Sequence, residues 1–295
     1  MQVLDLAWRE DWAPRLRAMH AWEGAHALAE GSADNLYLFR AAHGYRFVPG
    51  DWPVVLGHTY DGTDHAIPLF DLRQAPTQVL AMLLRRHACL YPLSQAQQQH
   101  WVQAHPDLPV TWETVRDDDD YVYTGESFRT YAGLHAKRNL VKQLLASHAV
   151  RVEAYTPAHR QAAVAVLEGW LQDKLKATGD ADDAPCREAL QWGPSWGWQG
   201  LMCWVDGVPA GFVLAEALQP EVWVMRFAKA RTVFKGLPQY LFQRFCQDEA
   251  ARKVDWLNFE QDLGLARFRQ TKMSYRPAHL LSKFRVKCPL DTPNG

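Results

Sequence analysis

Between residues 198 and 286 the chain runs through two strands joined by a tight turn, a third strand, a loop, a helix, a strand, a helix and a last strand. No other feature constrains the fold as strongly. WQGLMCWVDGVPAGFVLAEAL reads as a hairpin because β-branched and aromatic runs flank Asp206-Gly207, a pair suited to the positive φ of a two-residue turn. EVWVMRFAKA (221–230) is the third strand and LPQYLFQRFCQDEAARK the helix. VDWLNFE is the next strand, a helix opens near Asp262, and HLLSKFRV closes the series. Strands interleaved with helices in this way imply an α+β fold, a mixed sheet flanked by helices.

Upstream, APTQVLAMLLRRHA (75–88) and SQAQQQHWVQAH (94–105) have helical periodicity, and residues 52–70 read as a hairpin turning at Asp61-Gly62. After the acidic run Asp117 to Asp120, YVY (121–123) predicts a strand, with Thr124 as the N-cap of one long helix reaching Ser147. VRVEAY (150–155) is a strand, residues 157–175 a helix with Pro157 in its first turn, and 176–184 a polar loop. At 295 residues, about two domains are expected. The acidic run is the natural boundary, giving residues 1–119 and 120–295.

Composition narrows the class. With 48% apolar residues, 22% charged and 13 tryptophans, the chain has the material for a sizeable core and is not a disordered sequence. No apolar run approaches the roughly 20 residues that span a bilayer, and MQVLDLAWRED lacks a signal-peptide pattern. A soluble, cytoplasmic protein is expected. Cys89, Cys186, Cys203, Cys246 and Cys288 are odd in number and scattered, so neither a disulfide framework nor a bound metal is implied.

Two cations stand where apolar side chains belong. A helix opening at Asp262 puts Leu265, Phe268 and Lys272 on one face, and Arg138 falls within the stripe Tyr131, Leu134, Val141, Leu145. Either charge can snorkel to water, and whichever is buried needs a carboxylate or an anionic ligand beside it. Glu260 and Asp262 are the nearest acidic groups in sequence to Lys272. Between Leu265 and Cys288 lie seven basic residues and no acidic one, a segment able to receive an anion or to form a solvated basic surface.

The order of elements resembles the acyltransferase core of the GNAT superfamily. DYVY (120–123), KRN (137–139), VDGVPAGFVLAEAL (205–218), RFAKA (226–230), KGLPQYLFQRF (235–245) and NFEQDLGLARFRQTKMSYRP (258–277) more closely resemble a bacterial family related to the C-terminal catalytic domain of phosphatidylglycerol lysyltransferases. The resemblance covers most of residues 120–287 and implies tandem GNAT-like domains, each a mixed twisted sheet flanked by helices. Residues 1–119 would be a diverged copy, matching only around NLYLFR (35–40).

Such a protein would transfer an acyl or aminoacyl group without a covalently bound cofactor. The donor would be aminoacyl-tRNA or acyl-CoA, and the acceptor a small molecule or lipid head group. An amine or hydroxyl attacks a carbonyl held where strands 221–230 and 255–260 part, which needs an N–H aimed at the oxyanion and a base for the proton. The resemblance implies a backbone N–H near Phe227 to Lys229 for the first and Glu260 for the second, with Lys272 and Arg138 as further catalytic positions. A salt-bridge role for Glu260 is the alternative. Substrate-binding positions implied by the matching segments are Tyr123, Lys137, Asn139, Phe227, Lys229, Asn258, Asp262, Arg269 and Tyr275. Arg231, Lys235 and Gly236 are placed to hold phosphate, although this loop has one glycine and Pro238 supplies no N–H.

Ala228 and Phe259 depart from the family pattern, which has an acidic residue and an arginine there. Three readings therefore stay open: a GNAT-type acyl or aminoacyl transferase, a catalytically silent module binding an anionic ligand, and an RNA-binding protein using the basic segment. GPSWG (193–197) matches a nucleophile-elbow pattern but precedes a strand rather than a helix, so it reads as a Trp-rich loop.

Overall fold

The computed structural model describes residues 1–179, 181–248, 251 and 254–289. The chain forms two compact units, each discontinuous. The first comprises Met1–Tyr121, Gln261–Ser274 and His279–Gly295, and the second Val122–Glu260 with Tyr275–Ala278. The first crossing comes at the acidic run, but most of the chain after Glu260 returns to the first unit. A boundary read from composition has no way to anticipate that return.

In the first unit, β1 (Gln2–Val3), β2 (Arg46–Val48), β3 (Val54–His58), β4 (Asp64–Pro68), β5 (Leu90–Leu93) and β6 (Thr111–Thr114) precede the crossover strand β7 (Asp120–Thr124). With the late strand β14 (Phe284–Lys287) they form a sheet of order β1-β2-β3-β4-β5-β14-β6. Successive side chains of a strand leave on opposite faces. Val55 and Ile67 accordingly join Trp8, Trp12 and Leu16 of helix α1 (Leu6–His20) and Leu36 of α2 (Ala33–Leu38). Val54 and Ala66 instead meet Leu80, Leu83 and Leu84 of α3 (Thr77–Arg86) and Trp101 of α4 (Gln95–Ala104).

The second unit opens with α5 (Gly125–Thr130) and α6 (His135–Ser147), not one long helix. Tyr131 sits in the left-handed region at φ 50°, which ends α5. Strand β8 (Val150–Ala154), α7 (Arg160–Asp173) and α8 (Asp183–Trp192) follow. Helix α8 starts at the end of the expected polar loop and runs through residues to which the sequence reading gave no element, and GPSWG forms a 3₁₀ turn between α8 and β9. Strands β9 (Gln199–Val205), β10 (Val208–Ala217), β11 (Val222–Ala230) and β12 (Trp256–Asn258) complete a sheet that runs β7-β12-β11-β10-β9-β8. The hairpin turns at Asp206-Gly207, both at positive φ.

Helix α9 (Leu237–Gln247) packs on β10 so closely that a Cβ at Gly211 would lie 2.8 Å from the Leu241 side chain. Its N-cap, Gly236, has φ 89°, and a Cβ there would meet the Leu140 carbonyl oxygen at 2.3 Å. Part of the helix expected after Gln247 lies outside the described residues. Helix α10 (Ala266–Met273) begins four residues later than expected, and β13 (His279–Leu281) and β14 replace a single last strand. Among the described residues no helix is long and apolar enough to cross a membrane.

Candidate active site

Strands β11 and β12 pair in parallel only from Val222 to Val224, against Trp256 to Asn258. Beyond that point β11 continues to Ala230 along β10 alone. Arg231 N–H donates to the Ala210 carbonyl at 2.8 Å, and Phe212 faces Lys229 in the same ladder. In an antiparallel pair these bonds alternate, so the amides of Phe227 and Lys229 turn to β10 while those of Ala228 and Ala230 point to the open edge. Of the stretch Phe227 to Lys229, only Ala228 therefore presents its N–H where the strands part.

Beside this edge lies a cavity of about 340 Å³. Leu140, Val213, Ala228, Leu241 and Phe242 give it an apolar wall. Its charged lining is wholly cationic: Lys174, Lys229, Arg231 and Lys235. Lys229 is buried, its Nζ 2.6 Å from Asp182 Oδ1 and 4.1 Å above the Trp170 ring. Arg231 grips Asp173 with two bonds of 2.8 and 3.1 Å, and Thr232 N–H adds a third at 2.9 Å. Arg231 thereby holds the Asp173 carboxyl below its usual range. Within the described residues, Lys174 and Lys235 make no ion pair. The start of α9 offers little to a phosphate, since Leu237 N–H is spent on the Phe234 carbonyl at 3.2 Å and Pro238 has none.

Past the end of β12, Glu260 N–H donates to Asn258 Oδ1 at 2.7 Å, and a φ of 57° turns the chain there. The Glu260 carboxylate, 23% exposed, accepts from Arg226 Nη1 at 2.7 Å. Arg226 is wholly buried and also donates to Glu216 at 2.8 Å. Burial alone would lower the Arg226 pKa, but Glu216 and then Glu260 outweigh it and hold the guanidinium above its ordinary value. Arg226 is thus a salt-bridge partner of Glu260. Arg226 and Glu216 escaped the sequence reading, although a charge flanked by apolar residues in each of two strands was the available signal.

Tyr123 and Tyr275 belong to an aromatic cluster with Phe128, Phe242 and Phe259. Phe259 lies 5.2 Å from both Tyr123 and Phe128 and 4.9 Å from Phe242. Gln239 donates to the Tyr275 hydroxyl at 2.9 Å, and Lys137 Nζ sits 4.1 Å over the Tyr275 ring. Burial lowers the Lys137 pKa. Phe227 is buried and stacks toward Trp198, while Asn139 is exposed.

The remaining positions are more scattered. Arg138, half-buried, donates to His135 Nδ1 at 2.6 Å. Lys272 belongs to the first unit, where it donates to the Gln261 carbonyl and lies 5.5 Å over the Tyr121 ring. Its expected apolar stripe is not buried: Leu265 is 49% and Phe268 46% exposed, because α10 buries no residue. Asp262, fully buried in the first unit, accepts from Arg269, Tyr121 and the Gly264 N–H. Burial alone would raise its pKa, but those donors hold it down at about 2. The basic segment is not a continuous surface stripe: Arg267 and Arg276 are exposed, but two of its members are not. Lys283 is buried against Glu30 and Asp120, and Arg285 against Asp61 and Asp118.

Comparison with known proteins follows from this geometry. The family model described as "Phosphatidylglycerol lysyltransferase, C-terminal" matches residues 26–287. A crystal structure of a conserved protein of unknown function from Bacteroides thetaiotaomicron is similar at 21% identity and TM-score 0.78, covering 97% of this chain and 98% of that one. The C-terminal domain of a candidate lysylphosphatidylglycerol synthetase from Agrobacterium fabrum is similar at 11% identity and TM-score 0.61, covering 94% and 91%. L-PGS from Bacillus licheniformis is similar at 13% identity and TM-score 0.59, covering 99% and 95%. At these identities the likeness concerns the fold, an α+β GNAT-like arrangement of two sheets flanked by helices. A search of curated proteins found no match.

Proposed function

Because the chain belongs to the phosphatidylglycerol lysyltransferase C-terminal family, we propose that it is a GNAT-type transferase moving an aminoacyl group from aminoacyl-tRNA to a hydroxyl or amine acceptor. The observation that carries this reading is the open edge of β11 beside the cavity at the start of α9. An extended donor can lie along that edge with its ester carbonyl near the Ala228 N–H. The acceptor oxygen or nitrogen attacks this carbonyl and loses its proton to Glu260. The Ala228 amide stabilises the oxyanion, and the ribose hydroxyl of the donor leaves with a proton as the new ester or amide forms. Arg226 fixes the Glu260 carboxylate from behind.

The donor is assigned as aminoacyl-tRNA rather than acyl-CoA because a pyrophosphate needs a nest of backbone N–H groups, and Leu237 and Pro238 withhold theirs. Lys174 and Lys235 suit the separate phosphates of a nucleic-acid end. Such a donor places the reaction in the cytoplasm, and the family name suggests a lipid head group as acceptor. The test is a melting-temperature comparison of a 3′-aminoacylamino-adenosine 5′-phosphate with coenzyme A, followed by transfer of labelled amino acid from a mixed aminoacyl-tRNA pool to phosphatidylglycerol vesicles. Stabilisation by the adenosine probe with label in the lipid supports the reading. Stabilisation by coenzyme A alone refutes it.

A second reading, a silent module that binds an anionic ligand, is favoured by the Glu260–Arg226 pair, which already occupies the base. Ligand binding without any label transfer from the pool would select it.

A further inference from the structure

Four cations line the cavity and no carboxylate does. The two acidic groups behind that lining, Asp182 and Asp173, are each already held by one of the cations, Lys229 at 2.6 Å and Arg231 at 2.8 Å. Among the described residues of this lining, a side-chain ammonium or guanidinium would find no unpaired carboxylate to accept it. The aromatic rings of the wall are engaged as well: the Trp170 face carries Lys229 at 4.1 Å, and Phe234 meets the His148 ring at 5.3 Å. Phe242 turns its ring to Phe259, 4.9 Å away, and to Phe128, 5.9 Å away. Deeper in, a charge would lie on Leu140, Val213, Ala228 and Leu241, where burial without a partner is costly.

Resting on the transferase reading above, we propose that this cavity selects an acyl group with an uncharged side chain and rejects a lysyl or arginyl one. The chain would therefore differ in amino-acid choice from the activity that gives its family a name. Discrimination comes from repulsion and from an absent counter-ion, the element of specificity that acts against the wrong ligand. Ala228 is the position that decides it: it lines the cavity on the open edge beside the N–H assigned to the oxyanion, and its methyl can be exchanged for a carboxylate.

The experiment is isothermal titration calorimetry of the full chain with two probes, 3′-deoxy-3′-leucylamino-adenosine 5′-phosphate and its lysyl counterpart. Both carry the same α-amine and phosphate, so the side chain alone separates them. The leucyl probe is expected to bind at least about tenfold more tightly, a difference of about 1.4 kcal/mol. Ala228→Glu should bring the lysyl probe up by about tenfold, and Ala228→Gln, of equal size and no charge, should not. Equal affinities for the two probes overturn the selectivity while leaving the transferase reading standing. If neither probe binds, both fall. Should Ala228→Glu fail to fold, the ratio measured on the unaltered chain decides the matter.

Discussion

Arg226 Nη1 stands 2.7 Å from Glu260 Oε1, and the arginine side chain has no exposed surface. With Glu216 on its other side, the guanidinium draws on two carboxylates for the solvation it has lost. Removing one member of such a group strands the others. Arg226→Met should lower the unfolding free energy by about 3–5 kcal/mol, and adding Glu216→Leu should restore part of the loss. Urea denaturation of the single and double variants measures both; a loss below about 1 kcal/mol would show that the group is not what it is taken to be.

Acid sensitivity should originate in His65 of the first unit. Its ring is buried between Tyr45, at 6.1 Å, and Tyr91, at 5.5 Å. Burial lowers its pKa from 6.5 to about 4. Between these values the unfolded chain binds a proton that the folded one refuses, so stability falls as pH drops from about 6.5 toward 4. The slope from this group is at most about 1.4 kcal/mol per pH unit. Unfolding free energies at pH 7, 6, 5 and 4 should show it, and His65→Phe should flatten it. Asp262 acts lower: its contribution is complete above about 3.8 and is lost as pH falls through about 2.

Gly236→Ala tests the seat of α9. The position has φ 89°, and the new methyl would press on the Leu140 carbonyl oxygen. A cost of about 1–3 kcal/mol is expected, together with weaker binding of the adenosine probe as the helix start is displaced. Unchanged melting and unchanged binding would count against this packing.

Lys174 and Lys235, which make no ion pair among the described residues, should govern the salt dependence of ligand binding. Lys174→Ala and Lys235→Ala should each weaken the adenosine 5′-phosphate probe and flatten the dependence of its affinity on sodium chloride. Arg231→Ala, by contrast, should act mainly on stability, because Asp173 already satisfies it.

Much of this architecture could be read from the chain. The Asp206-Gly207 hairpin, β11 and the core of α9 announce themselves through turn chemistry and period, as do α3 and α4. The family resemblance pointed to a GNAT-like fold for the same reason, since it rests on ordered elements. What misled was the stripe logic for Lys272 and Arg138. Periodicity reports which residues share a face and says nothing about whether that face is covered; α10 buries none of its residues, and the long helix breaks at Tyr131, in a left-handed conformation, with Gly133 two residues on as the turn signal passed over. The ion pairs Arg226–Glu216 and Lys229–Asp182 join positions 10 and 47 residues apart, and only the folded sheet and loops bring them into reach.

Gly211 has one more implication. Since β10 offers no side chain there and Leu237 and Leu241 of α9 pack straight onto its backbone, the helix works as a fixed abutment for the chamber beside it. Anyone seeking to enlarge that chamber for a bulkier substrate must carve from the wall that α6 supplies, at Leu140, because shifting the abutment would unseat the sheet itself.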